Sequence, residues 1–251
     1  MKILLNNDDG IDSLGLQSLV KPLSALGEVF VCAPMFQQSA KSHSITIHGH
    51  YAIEKREIPF AKEAYAVDGT PVDVTEIALG GLNIKPDLVI SGINNGLNCG
   101  HAAIYSGTLG VAREAIIRGI PSIAVSLDFT SSKEGLYEEL IKALIDFIPE
   151  YLNWEKNREY FVSLNLSYEN LTEKKSLGKR WTKFAYKSRY DNSFVLKDNY
   201  MEEDYLGYIY DESEKNLDYD WYATEQGYIT YTPMGLNVSS PGSVCELGGS
   251  K

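Results

Sequence analysis

A chain of 251 residues, 44% hydrophobic and 23% charged, is long enough for one large α/β domain with an appendage or for two small domains. Its net charge of −11 argues against a nucleic acid polymer as partner, because affinity for a phosphate backbone depends on accumulated lysine and arginine. No apolar run approaches the ~18 residues of a membrane span, and the "MKILL" start is typical of a first strand rather than a signal peptide.

The first half of the chain alternates short β-branched runs with helical patterns, which indicates an α/β protein with a parallel sheet flanked by helices. Leucines and a valine at helical spacing between Leu16 and Leu26 predict a first helix, which Pro22 should kink or split. We predict strands near residues 2–7, 28–34, 88–93, 122–127 and 160–166.

The later helices have clearer start and stop signals. Thr70 is a good N-cap, Pro71 suits the first helical position, and Asp73 completes a capping-box pattern with Thr70. A further helix is predicted from "SGT" at 106–108 to Gly119, and an amphipathic helix over 136–152 is expected to pack on the sheet.

After residue 166 the composition changes. Basic residues between 174 and 189 precede an acidic, tyrosine-rich stretch, and alternation in "QGYITYTP" at 226–233 predicts strands or a hairpin. Both charge blocks fit solvated faces, or alternatively an extended arm that pairs with another subunit. We therefore divide the chain into a catalytic core (1–166), a C-terminal extension or oligomerisation arm with strands returning to the core (167–236), and a disordered tail (237–251).

Three polar loops follow predicted strands, at the edge of a parallel sheet where ligands bind. The loop after the first strand carries Asp8 and Asp9, whose oxygens suit one hard divalent cation, Mg²⁺ or Mn²⁺. Ser39 and Asn95, from the two neighbouring loops, are candidate neutral oxygen ligands. The competing interpretation of the pair is a turn or helix cap, since Asp is common in turns.

The segment that begins the helix at residue 106 is a candidate anion site. Ser106, Gly107 and Thr108 combine free backbone N–H groups, the positive end of a helix dipole and two hydroxyls, and Asn98 could reach the same phosphate. Ordinary N-capping explains the same residues equally simply. His43, in "KSHS", could donate a hydrogen bond to a phosphate or transfer a proton near the site. The competing interpretation is a hydrogen-bonded loop histidine.

Several blocks together resemble the SurE family, known as survival proteins and 5′/3′-nucleotidases. They are "ILLNNDDGIDSLGL", "VCAPMFQQSAKSHSIT", "YAVDGTPVDVTEIAL", "PDLVISGINNGLNCG", "YSGTLGVAREAIIRGIPSIAVS" and "EQGYITYTP". The resemblance is dense over residues 1–130 and thin beyond. It implies a Rossmann-like, three-layer core and metal-dependent hydrolysis of nucleoside monophosphates by a homodimer or homotetramer built through C-terminal arms.

The resemblance also assigns roles to residues. It implies metal ligands at Asp8, Asp9, Ser39 and Asn95, and phosphate contacts at Asn98, Ser106, Gly107 and Thr108. Two departures stand out: "QQSA" at 37–40 where the family commonly has Asn-Gln-Ser-Gly, and His101-Ala102 where it often has an Asp pair. Neither departure removes an expected ligand.

These observations predict a phosphoric monoester hydrolase in which one Mg²⁺ or Mn²⁺ ion lowers the pKa of a water that attacks phosphorus in line. We expect Asp8, Asp9, Asn95 and His43 to act in catalysis, with either Asp8 or Asp9 orienting the water. A phospho-aspartyl mechanism is disfavoured because its D-x-D spacing is missing after the first strand. The alternative function is a non-catalytic nucleotide sensor that uses the same crevice. Three widely spaced cysteines favour a cytoplasmic location.

Overall fold

The computed structural model describes residues 1–128, 136–171, 173, 175–187, 189–209 and 211–236. Its strands are β1 (Lys2–Asn6), β2 (Glu28–Pro34), β3 (Ile53–Arg56), β4 (Glu63–Val67), β5 (Leu88–Asn95), β6 (Ser122–Asp128), β7 (Tyr160–Ser167), β8 (Lys179–Trp181), β9 (Arg189–Lys197), β10 (Tyr200–Ile209) and β11 (Ile229–Gly235). Its α-helices are α1 (Leu14–Ser24), α2 (Pro71–Glu76), α3 (Ala102–Tyr105), α4 (Gly107–Ile117), α5 (Leu136–Leu152) and α6 (Asp220–Glu225).

A mixed sheet of nine described strands, in the order β3-β4-β2-β1-β5-β6-β7-β11-β8, forms the centre of the fold. The five strands predicted from the sequence are its consecutive middle strands, β2, β1, β5, β6 and β7, and they pair in parallel. β3 pairs antiparallel with β4, and β11 pairs antiparallel with β7. The predicted α/β class with a mainly parallel sheet is confirmed.

The two faces of the sheet bury different helices. Ile3 and Leu5 of β1 belong to an apolar cluster with side chains of α1 and α5, whereas Leu4 packs with side chains of α2 and α4. This division follows from strand geometry, since successive side chains of a strand point to opposite faces. The result is the predicted three-layer arrangement, with a helical layer on each side of the sheet.

The first helix departs from the prediction at its proline. Pro22 does not split α1, which runs from Leu14 to Ser24, with Leu19 and Leu23 fully buried on either side of the proline. Because Pro22 lies in the last turn, its missing N–H costs one bond of a helix that ends two residues later. Ser13 is the N-cap, and its side chain accepts from Leu16 N.

The capping box of α2 is confirmed, because Thr70 Oγ1 accepts from Asp73 N at 3.1 Å and Asp73 Oδ2 accepts from Thr70 N at 3.0 Å. The helix predicted over 136–152 is α5, and the strand predicted within 226–233 is β11. The sequence did not predict β3, β4, β8, β9 or β10. The predicted disordered tail, 237–251, lies outside the described residues. Within the described ranges, no helix is long and apolar enough to cross a bilayer.

Two features distinguish the C-terminal part. β8 and β11 extend the central sheet, whereas β9 and β10 form a separate two-stranded antiparallel hairpin. Large apolar side chains of this hairpin, Phe194, Leu196 and Met201 among them, are more than 60% exposed. An apolar surface of this kind is typical of an interaction site.

Lys179 of β8 binds side chains of α5. Lys179 Nζ lies 4.6 to 4.8 Å from the ring centroids of Phe147, Trp181 and Tyr231, and 2.7 Å from Glu150 Oε2. The three aromatic faces and the carboxylate attract the same cation. Lys179 therefore joins three elements at the end of the sheet: α5, β8 and β11.

Candidate active site

The loops after β1, β2 and β5 meet at the carboxyl edge of the sheet. Gln38 N, in the loop after β2, donates to Asp8 O at 2.7 Å. Asn95 N, at the end of β5, donates to Asp9 Oδ2 at 2.9 Å. The acid pair after β1 therefore contacts both neighbouring loops, as expected for a parallel sheet whose adjacent strands end at one edge.

Two asparagines that precede the acid pair fix its backbone. Asn6 Nδ2 donates to Pro71 O and to Thr75 Oγ1 of α2, both at 2.9 Å. Asn7 Oδ1 accepts from Gly10 N at 3.1 Å, and Asn7 Nδ2 donates to Gly10 O at 3.0 Å, which closes the turn around the two acids. Both asparagines are fully buried, so each amide contributes to support of the loop.

Asp8 lies against the N-terminus of α4, where its Oδ1 accepts a hydrogen bond from Thr108 Oγ1. Only 3% of Asp8 is exposed, and burial raises its pKa to about 6. The charge of Asp9 also raises this pKa, while the hydroxyl and the backbone N–H of Thr108 lower it. Asp8 is thus a buried carboxylate whose ionised form lacks full compensation.

Gly107 allows this close approach. A Cβ at residue 107 would lie 2.8 Å from Asp8 Cβ, 3.0 Å from Asp8 Oδ2 and 3.0 Å from Pro71 Cγ. Carbon atoms normally meet at about 3.5–4.0 Å. The small residue at this position is therefore required for Asp8 to reach the first turn of α4.

Ser106 is the N-cap of α4, and its Oγ accepts from Leu109 N at 3.1 Å. The capping interpretation of Ser106 is therefore correct, although a hydroxyl that accepts one bond keeps its own proton to donate. Thr108 directs its hydroxyl proton to Asp8. Within the "SGT" segment, the backbone N–H groups and the Ser106 hydroxyl remain the candidate phosphate donors.

Asn98 belongs to the segment 95–101, here called the asparagine loop. It is 6% exposed, and its Nδ2 donates to Ser126 Oγ of β6 at 2.8 Å. Its backbone N donates to Asn165 Oδ1 of β7, also at 2.8 Å. Asn98 is therefore rigidly placed, with a second carboxamide N–H that the Ser126 contact does not use.

The two predicted neutral ligands differ in placement. Asn95 contacts the acid pair through its backbone N–H. Ser39 is exposed, and its Oγ accepts from Gln37 Nε2 at 2.9 Å within its own loop. That loop reaches the acid pair through the adjacent Gln38 backbone. Coordination by the Ser39 hydroxyl and the Asn95 carboxamide stays a prediction.

His43 pairs with a buried carboxylate on α4. His43 Nε2 lies 3.0 Å from Glu114 Oε2, and Glu114 Oε1 accepts from Arg118 Nε at 2.7 Å. Burial opposes ionisation of Glu114, but hydrogen bonds from His43 and Arg118 outweigh it and hold the Glu114 pKa below its usual value. Glu114 is about 10 Å along α4 from Gly107 at 1.5 Å per residue, so His43 lies beside the second turn beyond the helix start.

Known proteins match both the sequence and the fold. The family model described as survival protein SurE matches residues 3–191. The chain belongs to the SurE family. The 5′-nucleotidase SurE of Desulfitobacterium hafniense is 39% identical over 98% of this chain and 96% of its own length. That of Clostridium beijerinckii is 38% identical over 95% and 94%, respectively.

A solved structure agrees with the fold. The SurE protein from Aquifex aeolicus superposes with a TM-score of 0.79 at 31% sequence identity and covers 98% of both chains. This agreement extends over the C-terminal strands as well as the core. The SurE-family fold predicted from the sequence blocks is therefore confirmed over nearly the whole chain.

The divalent cation implied by SurE-family resemblance is compatible with the residues of this site. Asp8 and Asp9 supply carboxylate oxygens, and a cation beside them would favour the ionised form of Asp8, which burial and Asp9 disfavour. Among the described residues, no group of three or more His, Cys, Asp or Glu side chains could hold a metal. An oxygen-rich site with two carboxylates and neutral or water ligands suits Mg²⁺ or Mn²⁺ rather than zinc.

Some residues of this SurE-family site were not predicted from the sequence. Asn6 and Asn7 precede the acid pair directly, but two adjacent asparagines are equally typical of a turn. Glu114 lies 71 residues from His43, and no local pattern indicates that contact. A buried position for glutamate on an otherwise apolar helix face was the available signal, since unpaired buried glutamate is rare.

Proposed function

We propose that this SurE-family chain is a divalent-metal-dependent phosphomonoesterase that releases phosphate from nucleoside monophosphates, with 5′-nucleotides and 3′-nucleotides as candidate substrates. Its relatives are named 5′-nucleotidases at 38% and 39% identity, with coverage above 90% of both chains, which supports nucleotidase activity. The choice of metal and of phosphate position is part of the proposal.

One observation carries the assignment: a buried carboxylate, Asp8, lies directly against the N-terminus of α4, with Asp9 beside it at the sheet edge. A helix N-terminus attracts anions, so two carboxylates next to a phosphate site would repel the substrate. A cation held by the pair reverses that repulsion. The arrangement therefore favours a metal and a phosphate bound side by side.

Each residue has a defined task in this proposal. Asp8, Asp9, Ser39 and Asn95 would hold the cation, which supplies charge neutralisation and lowers the pKa of a water. Thr108 orients Asp8 through its hydroxyl. The N-terminal N–H groups of α4, with Ser106 and Asn98, stabilise the phosphoryl oxygens as charge shifts in the transition state. His43, oriented by Glu114, is the candidate group for proton transfer.

The assembly is also part of the proposal. We assign residues 1–166 to the catalytic core and 167–236 to an extension whose hairpin, β9 and β10, binds another copy of the chain as a dimer or tetramer. The exposed Phe194, Leu196 and Met201 support this assignment, because interface cores are enriched in aromatic residues and methionine. We further propose a cytoplasmic location.

The experiment measures phosphate release from AMP, GMP and 3′-AMP with Mg²⁺ or Mn²⁺. We expect turnover that EDTA abolishes and that Asp8→Asn and Asp9→Asn reduce by more than about 100-fold, the scale seen when one preorganised group that stabilises the transition state is removed. Asp12→Asn is the matched control, since its side chain is 73% exposed in the same loop.

A non-catalytic nucleotide sensor is the alternative, and the same assay separates the two. A sensor would bind AMP without EDTA sensitivity and without turnover. The acid pair favours the enzyme, because a sensor needs only the anion site. Full activity of Asp8→Asn with a normal metal requirement would refute the assignment of the acid pair.

A further inference from the structure

Two hydrogen-bond contacts to backbone N–H groups of the asparagine loop come from side chains outside the loops that build the site. The first is to β7, where the fully buried Asn165 accepts from Asn98 N through Oδ1 at 2.8 Å. Asn165 Nδ2 donates to Ser163 Oγ at 3.1 Å, so the orientation of its carboxamide is itself fixed.

The second contact comes from the C-terminal part of the chain. Asp220, the first residue of α6 and 2% exposed, accepts from Gly100 N through Oδ2 at 3.2 Å. Its Oδ1 accepts from Ala185 N at 3.0 Å and from Trp221 N at 2.8 Å. One carboxylate therefore connects the asparagine loop, the segment after β8 and the start of α6.

The position of Gly100 makes this connection informative. Its φ of +53° lies in the left-handed region, and α3, which leads to Ser106, begins two residues later. Asn98 N and Gly100 N are thus anchored from two different elements. These anchors fix the backbone from which the Asn98 side chain projects and the path of the chain towards the N-terminus of α4.

We propose that Asp220 is a positioning residue, and that with Asn165 it holds the asparagine loop in the orientation in which Asn98 meets the substrate phosphate. The inference rests on the proposed function and extends it, because it makes the C-terminal part of the chain a component of the phosphate site.

Asp220→Asn tests the contact selectively. The asparagine Oδ1 can still accept from Ala185 N and Trp221 N, and these two bonds favour the orientation that turns Nδ2 towards Gly100 N. Two donors then face each other, so the Gly100 contact is lost while the other two remain. Asn165→Ala removes the opposite anchor, on Asn98 N.

The matched control is Glu214→Gln. Glu214 is 1% exposed and accepts from Lys187 N at 3.0 and 3.1 Å, so it is also a buried carboxylate that binds a backbone N–H of the segment after β8. It holds residue 187 rather than residue 100. A general loosening of the C-terminal part would affect both carboxylate variants alike.

The measurements are kcat and KM for AMP with Mn²⁺, the inhibition constant of inorganic phosphate, and amide hydrogen exchange of peptides that cover 95–101. For Asp220→Asn and Asn165→Ala we expect KM and the inhibition constant to rise about tenfold or more, kcat to fall less, and exchange in the loop to accelerate. Glu214→Gln should stay within about threefold of the wild type in both constants.

Unchanged KM and inhibition constants in both loop variants would overturn the inference, as would an equal rise in Glu214→Gln. If Asp220→Asn does not fold, Asn165→Ala decides. If the wild type releases no phosphate from nucleotides, the proposed function fails on its own. The exchange rates and calorimetric binding of inorganic phosphate with Mn²⁺ then still decide whether Asp220 and Asn165 position the loop.

Discussion

Replacing Gly107 by alanine should lower kcat/KM strongly in a protein that still folds. The added methyl carbon would lie 2.8 Å from Asp8 Cβ and 3.0 Å from Pro71 Cγ. Normal carbon contacts of about 3.5–4.0 Å require a retreat of roughly 0.7–1.2 Å from Asp8 Cβ and of roughly 0.5–1 Å from Pro71 Cγ. Because Asp8 and Pro71 belong to different elements, the start of α4 must move away from both, and the Thr108 contact to Asp8 weakens.

Two magnitudes follow from this displacement. Overpacking of this kind costs about 1–3 kcal/mol, and the lower entropy of an unfolded chain with alanine returns about 0.4–1 kcal/mol, so the net loss of stability should be at most about 2.6 kcal/mol. A shift of about 1 Å at catalytic groups reduces kcat/KM by about 100-fold.

The assay is phosphate release from AMP with Mn²⁺, alongside urea unfolding of both proteins. Gly80→Ala is the matched control, since a Cβ at that position meets no atom within 4 Å. It should retain wild-type kcat/KM. A folded Gly107→Ala protein with wild-type kcat/KM would refute the argument that Asp8 and the α4 N-terminus work in contact.

Three further predictions concern other parts of the molecule. Burial raises the Asp220 pKa from 3.8 to about 6, so the folded state holds a proton that the unfolded state has lost between these values. Stability from this group therefore falls as pH rises through that window. Urea titrations should show the stability of Asp220→Asn relative to the wild type rising by about 2–2.5 kcal/mol between pH 4 and pH 7, at about 1.4 kcal/mol per pH unit within the window. Lys179→Ala should lower the free energy of unfolding by about 1–3 kcal/mol through loss of its aromatic and Glu150 contacts, whereas Lys142→Ala, 76% exposed, should change it by less than about 0.5 kcal/mol. Phe194→Asp should lower the sedimentation coefficient if the hairpin joins two copies of the chain, and an unchanged coefficient would remove the hairpin from the proposed interface.

The middle of the sheet could be predicted from the sequence because its strands are buried on both faces and read as continuous apolar runs. The edges could not. β3 has exposed or half-exposed side chains throughout, so it shows no apolar alternation. The β9–β10 hairpin carries charge and exposed aromatic residues and resembles a solvated segment.

The site, too, could be predicted from the sequence only in part. Asp8 and Asp9 could be placed at the sheet edge because they follow a predicted strand directly. The N-cap of α4 could be predicted from the "SGT" segment. Asp220 and Gly100 are 120 residues apart in the sequence, and they meet only when β11 has paired with β7. No local pattern carries that information, because the contact depends on tertiary packing.

The position of β11 has a consequence for synthesis of the chain. β11 lies between β7 and β8, although it follows β8 by almost 50 residues in the sequence. The outer edge of β7 therefore has no partner until β11 leaves the ribosome, and unpaired strand edges favour aggregation. A truncated translation product would carry both an exposed strand edge and an unanchored Gly100, so ribosomal stalling late in the message would leave an inactive, aggregation-prone chain.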